Sequence, residues 1–324
     1  MLKSIWAVAQ KGAAGMLNQS IGLAEALFAE GGFGLPQVFE IEFRRPYTWL
    51  PMHPAFASLK MVAPDSAPEF KPPWPDVLIT CGRKSAMLAM AVRKASKGHT
   101  ITIHIQNPRS NPKYWDLVIV PEHDRMRGRN VIVSQGALHR LTDQKLRNGA
   151  EAIRLEYAHI PRPRVAVLVG GNNRYYTLDE EWMRDFTAQL RQMVQRSGCG
   201  ILATISRRTG EAEANLLRGA LASLPAALWD GKGPNPYFGF LGLADAIVVT
   251  GDSVSMVSEA CFTRKPVMVA KLPGRSKRFD AFYESLLQRG LIQWFDGRLL
   301  QWDNGRLDET ARIVAEVRQR FDWS

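Results

Sequence analysis

Short apolar runs alternate with helical patterns along most of the chain. The runs are rich in Val, Ile and Ala and end at small or polar residues, which is typical of strands buried on both faces of a parallel sheet. Segments with apolar residues at helical spacing separate them, as right-handed crossovers require. The pattern predicts an α/β protein with doubly wound, Rossmann-like parallel sheets. We expect strands at 5–8, 36–42, 76–80, 99–106, 117–120, 131–133, 165–169, 201–206, 227–230, 246–249 and 266–272.

The chain of 324 residues is too long for one typical core. It suits two domains of about 150 residues each. The segment AHIPRPR at 158–164 has two prolines and two arginines and lies between a helical pattern and a strong strand. We therefore predict an N-terminal domain at 1–160 and a C-terminal domain at 161–305. Residues 306–324 hold a terminal amphipathic helix.

Residues 46–75 carry eight prolines and several aromatic residues. Prolines at that density exclude a central strand and predict a long irregular excursion. One interpretation is a stiff surface connection. The other is a surface for a bilayer or a membrane-linked acceptor, since Trp and Tyr favour the headgroup region and the nearby Arg44 and Arg45 suit anionic lipid.

The stretch TGDSVSMVSEA at 250–260 predicts a strand end, a tight loop and a helix. Asp252 or Ser253 can cap this helix, because a short side-chain oxygen accepts from a first-turn N–H group. The unpaired N–H groups and the helix dipole favour an anion such as a phosphate, and Ser255 adds a hydroxyl. Glu259, about two turns further on, can accept from sugar hydroxyls. The alternative is an ordinary capped helix.

Polar and small residues also follow other strands predicted in the C-terminal domain, where doubly wound sheets bind ligands. An arginine there can hold a diphosphate through its planar fork. The alternatives are a simple turn for the glycine pair and a surface pair for the arginines. The residues that we predict to bind this substrate, the donor of a transferred group, are Gly170, Gly171, Asn172, Ser206, Arg207, Asn235, Tyr237, Asp252, Ser253, Ser255 and Glu259.

The strand ends of the N-terminal domain carry small and basic residues. Two glycines after the first strand let a ligand approach the backbone. Their spacing is neither the dinucleotide fingerprint nor a P-loop, which argues against an oxidoreductase and an NTPase. The residues that we predict on the side of the second substrate, the acceptor of the transferred group, are Gly12, Gly15, Asn18, Gln19, Arg83, Ser85 and Arg109.

His123 and Asp124, in PEHD, follow another predicted strand of this domain. Either can act as a general base for an acceptor hydroxyl, since a group that titrates near neutral pH suits proton transfer. We predict them as the catalytic residues. The alternative for a single histidine is a structural role.

Composition and missing motifs narrow the function. The sequence has no D-x-D, H-E-x-x-H, paired C-x-x-C or G-x-S-x-G, which disfavours a metal-dependent transferase, a zinc hydrolase and a serine hydrolase. Three widely spaced cysteines indicate buried thiols. No apolar run is long enough to span a membrane, and the N-terminus lacks a signal-peptide pattern. We expect a cytoplasmic protein.

The formal net charge is +11, of which +7 falls in residues 1–160, with 20 Lys and Arg against 13 Asp and Glu. Such a balance favours anionic partners. The charge does not choose among phosphate-bearing small molecules, anionic lipid surfaces and nucleic acid. Our hypothesis is a nucleotide sugar and an anionic lipid or membrane-linked acceptor, with no nucleic acid and with the protein peripheral on the inner face of the cytoplasmic membrane. The sequence does not indicate an oligomeric state.

A set of motifs in fixed order carries a family resemblance: KGAAGMLNQSIGLAEAL, CGRKS, PEHD, GALHR, VLVGGNN, TISRRTG, NPY and TGDSVSMVSEA. Through them the chain resembles the bacterial relatives of the plant mitochondrial-fission factor called "elongated mitochondria", and the last motif resembles the nucleotide-sugar site of GT-B glycosyltransferases. The resemblance implies two domains facing across a cleft, with the donor in the C-terminal domain. It also implies that the last helix packs back on the N-terminal domain.

The resulting hypothesis is a metal-independent glycosyltransferase that needs no cofactor. Its donor is a nucleoside-diphosphate sugar and its acceptor a lipid- or phosphate-bearing envelope glycoconjugate. Arg207 and the helix start near Ser253 stabilise the leaving diphosphate in this hypothesis. Two alternatives stay open: a nucleotide-sugar epimerase, and a non-catalytic scaffold recruited to membranes.

Overall fold

The computed structural model of the protein describes residues 3–323, apart from the side chain of Thr48. Its contacts divide the chain into two compact units. The first comprises the chain up to Arg140 together with the segment from Asp308, and the second is Leu141–Leu307. Each unit contains a six-stranded parallel sheet, so the predicted α/β class with two doubly wound sheets is confirmed.

The first sheet consists of β1 (Ile5–Gln10), β2 (Gln37–Ile41), β3 (Val77–Cys81), β4 (Ile101–Ile105), β5 (Leu117–Pro121) and β6 (Val131–Ser134). Helix α1 (Ala14–Ala29) follows β1, and α2 (Arg83–Ala95) follows β3. The strand order is β2-β1-β3-β4-β5-β6. The order reverses between β1 and β3, so these two strands flank the topological switch point, where ligands bind in such sheets.

The proline-rich stretch of the first unit is irregular, as predicted. It contains three short 3-10 turns, at Tyr47–Trp49, Pro54–Phe56 and Leu59–Met61. Met61 and Phe70 are buried in the same core cluster as Trp6 of β1, whereas Trp49 is 71% exposed. The stretch therefore covers part of one sheet face and leaves a tryptophan in solvent.

The second unit begins with α3 (Asp143–Ile153) and continues as β7 (Arg164–Val169), α4 (Glu180–Ser197), β8 (Gly200–Ile205), α5 (Glu211–Leu221), β9 (Ala226–Trp229), α6 (Tyr237–Leu243), β10 (Ala246–Thr250), α7 (Val254–Phe262), β11 (Val267–Ala270), α8 (Lys277–Gln288) and β12 (Gln293–Trp294). The strand order is β12-β11-β10-β7-β8-β9. Read from the β9 edge, this is the Rossmann order, with its switch point between β7 and β10.

The boundary between the units lies at Arg140 and Leu141, whereas the sequence places it at 160. Helix α3 belongs to the second unit because its backbone meets that of α6. A methyl group on Gly149 would lie 2.8 Å from the backbone nitrogen of Gly239, and one on Gly242 would lie 2.4 Å from the carbonyl oxygen of Leu146. Glycines at these positions let the two helices approach closely. The segment AHIPRPR at 158–164, from which the boundary was predicted, lies inside the second unit.

Helix α9 (Glu309–Arg320) follows the second unit in the chain but packs in the first. Its residues Ile313, Val314 and Val317 join the core cluster that contains Leu23 and Leu27 of α1. Arg312 donates to the carbonyl oxygen of Val133, within β6, and Arg320 donates to that of Arg129, just before β6, each at 2.6 Å. The first core is therefore built from both ends of the chain.

Two elements differ from the sequence prediction. The sequence predicts a loop where α6 lies, and it gives no strand at β12. The segment YFGFLGL of α6 contains two glycines, which lower intrinsic helix propensity, and contact with α3 overrides that preference. The cysteines Cys81, Cys199 and Cys261 are buried and free, as predicted. Within residues 3–323, no helix is long and apolar enough to cross a membrane.

Candidate functional site

A buried carboxylate lies at the switch point of the second sheet, beyond the carboxyl ends of β7 and β10. The side chain of Asp252 has no exposed surface. One of its oxygens accepts from the hydroxyl of Thr250 at 2.5 Å. The other accepts from the backbone N–H of Gly171 at 3.0 Å and from the guanidinium of Arg208 at 2.6 Å. Asp252 therefore joins the loops that follow β7, β8 and β10.

The glycine pair after β7 is required by this close approach. A methyl group on Gly170 would lie 2.1 Å from a carboxylate oxygen of Asp252, and one on Gly171 would lie 2.1 Å from the carbonyl oxygen of Arg208. The N–H of Gly170 also donates to the Thr250 hydroxyl at 2.8 Å. The predicted residues Gly170, Gly171 and Asp252 are thus brought together, and the glycines do more than permit a turn.

The two neighbouring arginines after β8 have different roles. Arg208 donates to Asp252 and, at 3.3 Å, to the carbonyl oxygen of Gly171. Arg207 is exposed and makes no hydrogen bond or ion pair within the described chain. Arg208 therefore holds the loops together, and the guanidinium of Arg207 is the one that can turn to a ligand.

Helix α7 starts at the same edge of the sheet. Ser253 is its N-cap, and its hydroxyl oxygen accepts from the N–H of Met256 at 3.3 Å. The hydroxyl of Ser255 is half-exposed and makes no hydrogen bond among the described residues. The first-turn N–H groups, together with the Ser255 hydroxyl, offer donors to an anion.

A second buried carboxylate lies further along α7. Oε2 of Glu259 accepts from the hydroxyl of Tyr237 at 2.7 Å. Oε1 makes no hydrogen bond within the described residues, although Glu259 is only 7% exposed. Burial raises the pKa of Glu259 to about 7, and the Tyr237 hydrogen bond opposes that rise. Burial and the neighbouring carboxylate raise the pKa of Tyr237 well above its usual range.

The remaining residues predicted to bind the donor substrate stabilise loops. Asn172 accepts from the N–H of Leu178 at 2.6 Å, and Asn235 accepts from the N–H of Tyr237 at 3.0 Å. The hydroxyl of Ser206 accepts from the N–H of Arg208 at 3.1 Å. These side chains fix the backbone around the site and leave direct ligand contact as a prediction.

Sequence reasoning missed three residues of the network, Thr250, Arg208 and Thr209. Thr209 donates to the carbonyl oxygen of Gly170. The available signal was the threonine that ends the apolar strand β10, since a buried hydroxyl at that position needs a partner.

The predicted acceptor-side residues of the first unit lie around the β1 and β3 strand ends, except Arg109, which follows β4. Gly12 has a φ of +81° and donates to Glu40 at 3.3 Å. Gln19 donates to the carbonyl oxygen of Gly15 at 3.3 Å. Asn18 is half-exposed on the same helix.

Two further predicted residues begin α2. Arg83 is its exposed first residue. Ser85 is buried, and its hydroxyl donates to the carbonyl oxygens of Cys81 and Gly82. Ser85 is thus occupied by its own turn, whereas Arg83 faces solvent.

The predicted catalytic residues lie at the end of the next strands of the first unit. His123 and Asp124 form the short 3-10 turn Glu122–Asp124 after β5, and both are half-exposed. Arg109, after β4, is exposed with a φ of +55°. All three lie at the carboxyl edge of the first sheet. The catalytic role of His123 and Asp124 and the acceptor-side role of Arg109 stay predictions. Among residues 3–323, no three His, Cys, Asp or Glu side chains cluster closely enough to hold a metal ion.

Solved structures with the same architecture span both units. The UDP-GlcNAc 2-epimerase of Methanocaldococcus jannaschii, in complex with UDP-GlcNAc and UDP, is similar with a TM-score of 0.55 and 14% identity, over 98% of this chain and 100% of that chain. MurG of Acinetobacter baumannii is similar with a TM-score of 0.53 and 13% identity, over 98% and 99%. These similarities establish the fold, which is the GT-B fold that the sequence predicts.

The family model described as "Mitochondrial fission ELM1" matches residues 14–321. The chain belongs to this family, and the resemblance noted in its motifs is confirmed.

Two relatives are similar over most of the chain. The mitochondrial fission protein ELM1 of Arabidopsis thaliana is 30% identical over 280 residues, covering 77% of this chain. An uncharacterised protein of Rickettsia prowazekii is 24% identical over 282 residues, covering 75% of this chain and 78% of its own length. The match spans 65% of the length of the Arabidopsis protein, slightly less than two thirds.

Proposed function

We propose that the chain is a metal-independent glycosyltransferase that binds a nucleoside-diphosphate sugar in its second unit. The observation that carries this proposal is the unfilled oxygen of Glu259. Oε1 of this largely buried carboxylate has no hydrogen-bond partner among the described residues and is not fully enclosed, so a further donor can reach it. A hydroxyl of the donor's ribose is such a donor, and it would favour the ionised form of Glu259.

The surrounding residues supply what a diphosphate needs. The first-turn N–H groups of α7 and the guanidinium of Arg207 bring positive charge to the sheet edge where α7, the helix that carries Glu259, begins. Preorganised donors of this kind stabilise charge that develops on a leaving group, without a metal. Asp252 does not contact phosphate in this proposal, because its oxygens already accept from three donors.

Calorimetric titration with UDP, GDP, ADP, CDP and dTDP, with and without EDTA, tests the proposal. We expect one diphosphate to bind equally well in both conditions. Glu259→Gln should weaken its binding about tenfold, the cost of one hydrogen bond to a charged group. Glu181→Gln, an exposed change on α4 of the same unit, is the control. Binding that EDTA abolishes would contradict the metal-free claim, and failure of every diphosphate would contradict the donor site.

A second candidate function is epimerisation of a nucleotide sugar. It is supported by the similarity over 98% of the chain to a structure named as a UDP-GlcNAc 2-epimerase. NMR of UDP-GlcNAc incubated with the protein alone separates the two reactions. Inversion at the sugar C2 without an acceptor favours the epimerase, and an unchanged sugar that is consumed only with an acceptor favours the transferase.

For the acceptor, we propose a lipid- or phosphate-bearing molecule at the membrane surface, with the protein peripheral on its cytoplasmic face. The support is the basic first unit and the exposed Trp49, whose ring lies 5.1 Å from the guanidinium of Arg45. Such a pair suits an anionic interface. When anionic vesicles are sedimented at low salt, the protein should be found in the pellet with them. Trp49→Ala should reduce the fraction of protein in the pellet. Equal absence from anionic and neutral vesicles would contradict the proposal.

A non-catalytic scaffold is a third candidate function, because the Arabidopsis member of the family is named for mitochondrial fission. Membrane binding without binding of any nucleotide would favour that function. The titration and the sedimentation together therefore distinguish the scaffold from both enzymes.

A further inference from the structure

A cavity of about 310 Å³ lies beside the candidate donor site in the second unit. Its walls come from the loops after β7, β10 and β11, from α8 and from β12. Gly251 lines it and immediately precedes Asp252, so the cavity and the Asp252 network share one loop. Its volume is at the lower end of ligand pockets, which suits one small ring rather than a lipid or an oligosaccharide.

Aromatic side chains form preorganised walls. The Tyr283 hydroxyl donates to the carbonyl oxygen of Gly251 at 2.8 Å, and its ring lies edge-on to Trp294 with centroids 5.5 Å apart. Tyr176 is buried against Phe279, with centroids 5.1 Å apart. Aromatic faces held in this way offer apolar contact to the C–H face of a sugar ring.

The polar side chains of the cavity determine the charge it accepts. Asp280 and Glu284 are four residues apart on α8 and therefore lie on one helix face. Both are exposed, and neither side chain makes a hydrogen bond or ion pair within the described residues. Lys271 is the opposing cation, with Nζ 4.3 Å from the Trp294 ring centroid. Two carboxylates against one ammonium disfavour a phosphate and offer acceptors to hydroxyl groups.

We propose that this cavity receives the glycosyl group of the donor, as a neutral polyhydroxylated ring. The ring lies against the aromatic wall, and its hydroxyls donate to Asp280 and Glu284. This inference rests on the proposed function, since the diphosphate at the start of α7 is what brings the ring to Gly251.

The test compares UDP with UDP-GlcNAc by calorimetric titration of the full chain. The double variant Asp280→Asn/Glu284→Gln should bind UDP as the wild type does and should bind UDP-GlcNAc about tenfold more weakly. The control is Glu181→Gln/Asp185→Asn on α4. That pair has the same spacing, is likewise exposed and has no partner within the described residues. It should leave both affinities unchanged.

The outcomes separate this inference from the proposed function. A double variant that keeps the wild-type affinity for both ligands overturns the glycosyl pocket and leaves the diphosphate site intact. Equal weakening for UDP and UDP-GlcNAc also overturns it, because the loss then lies outside the sugar. A wild type that binds neither compound overturns the proposed function for these ligands, and the pocket assignment with it.

Discussion

The two sheets have switch points of the same kind, but their loops are held in different ways. At β7 and β10, the buried Asp252 accepts from groups of three loops. At β1 and β3, Met16 packs against Gly82, where a methyl group would lie 2.3 Å from the Met16 sulfur. The hydroxyl of Ser85 there donates only to its own turn. The second site is therefore organised around a buried charge and the first around apolar contact.

This difference shows that a polar residue after a strand end can serve either a ligand or the protein's own loops. Asp252 follows its strand as a ligand-binding residue would, yet its oxygens are occupied by the protein itself. Loss of ligand binding in an Asp252 variant would therefore report on the loops first. Arg207 and Glu259, which have unfilled donors or acceptors, report on the ligand.

The largest expected effect is that of Asp252→Ala. It removes a fully buried carboxylate and leaves three donors, on Thr250, Gly171 and Arg208, without their acceptor, which should cost about 4 kcal/mol of unfolding free energy. Ser85→Ala, its counterpart in the first unit, removes hydrogen bonds to local carbonyls and should cost about 1 kcal/mol. Urea denaturation of both variants measures the difference. Equal losses would show that the two switch points are held alike.

The next effect concerns pH. The pKa of Glu259 is raised to about 7, above its ordinary 4.5, so its contribution to stability is full below pH 4.5 and is lost as the pH rises through 7. The shift corresponds to about 3 kcal/mol. Glu259→Gln should therefore match the wild type at pH 4.5 and exceed it in stability at pH 8.5. Melting temperatures across this range test it, and a constant difference at all pH values would contradict the assignment.

Glycine substitutions contrast the two loops with a smaller effect. Gly171→Ala places a methyl group 2.1 Å from a carbonyl oxygen and should cost about 2 kcal/mol. Gly12→Ala meets no atom within 4 Å and should cost about 1 kcal/mol, the strain of its positive φ. Chemical denaturation of the two variants gives the comparison. A Gly12 variant as unstable as the Gly171 variant would indicate a tighter first loop.

The smallest effect on stability separates the neighbouring arginines. Arg208→Gln should lower the unfolding free energy by about 1.5 kcal/mol, because buried Asp252 loses one charged hydrogen-bond donor but keeps those of Thr250 and Gly171. Arg207→Gln should leave stability unchanged and weaken nucleoside-diphosphate binding about tenfold. Thermal melts and titrations of both variants test this. The reverse assignment would follow if only Arg208→Gln lost ligand affinity with its fold intact.

The regular part of the fold was accessible from the sequence. Its strands are apolar runs in the sequence, and β7 and β10 match their predicted ranges, 165–169 and 246–249, to within one residue at each end. The cap at Ser253 was also readable, because a short oxygen before a helical pattern satisfies a first-turn donor.

The contacts between distant segments were not accessible. Tyr237 and Glu259 are separated by 22 positions, and nothing in either motif shows that the hydroxyl meets the carboxylate. Which of Arg207 and Arg208 turns inward depends on the backbone of one tight turn. The boundary between the units at Arg140 and Leu141 was not predicted, because it depends on the contact between α3 and α6. Gly149, Gly239 and Gly242 allow that contact, but in the sequence they resemble ordinary turn residues.

The position of α9 has a consequence for synthesis on the ribosome. Ile313, Val314 and Val317 complete the core of the first unit, but they are translated after the whole of Leu141–Leu307. The second unit is one continuous segment and can fold as soon as it emerges, whereas the first, begun earlier, closes its core last. A released chain that ends at Leu307 should therefore have a second unit that resists protease and a first unit that is cut.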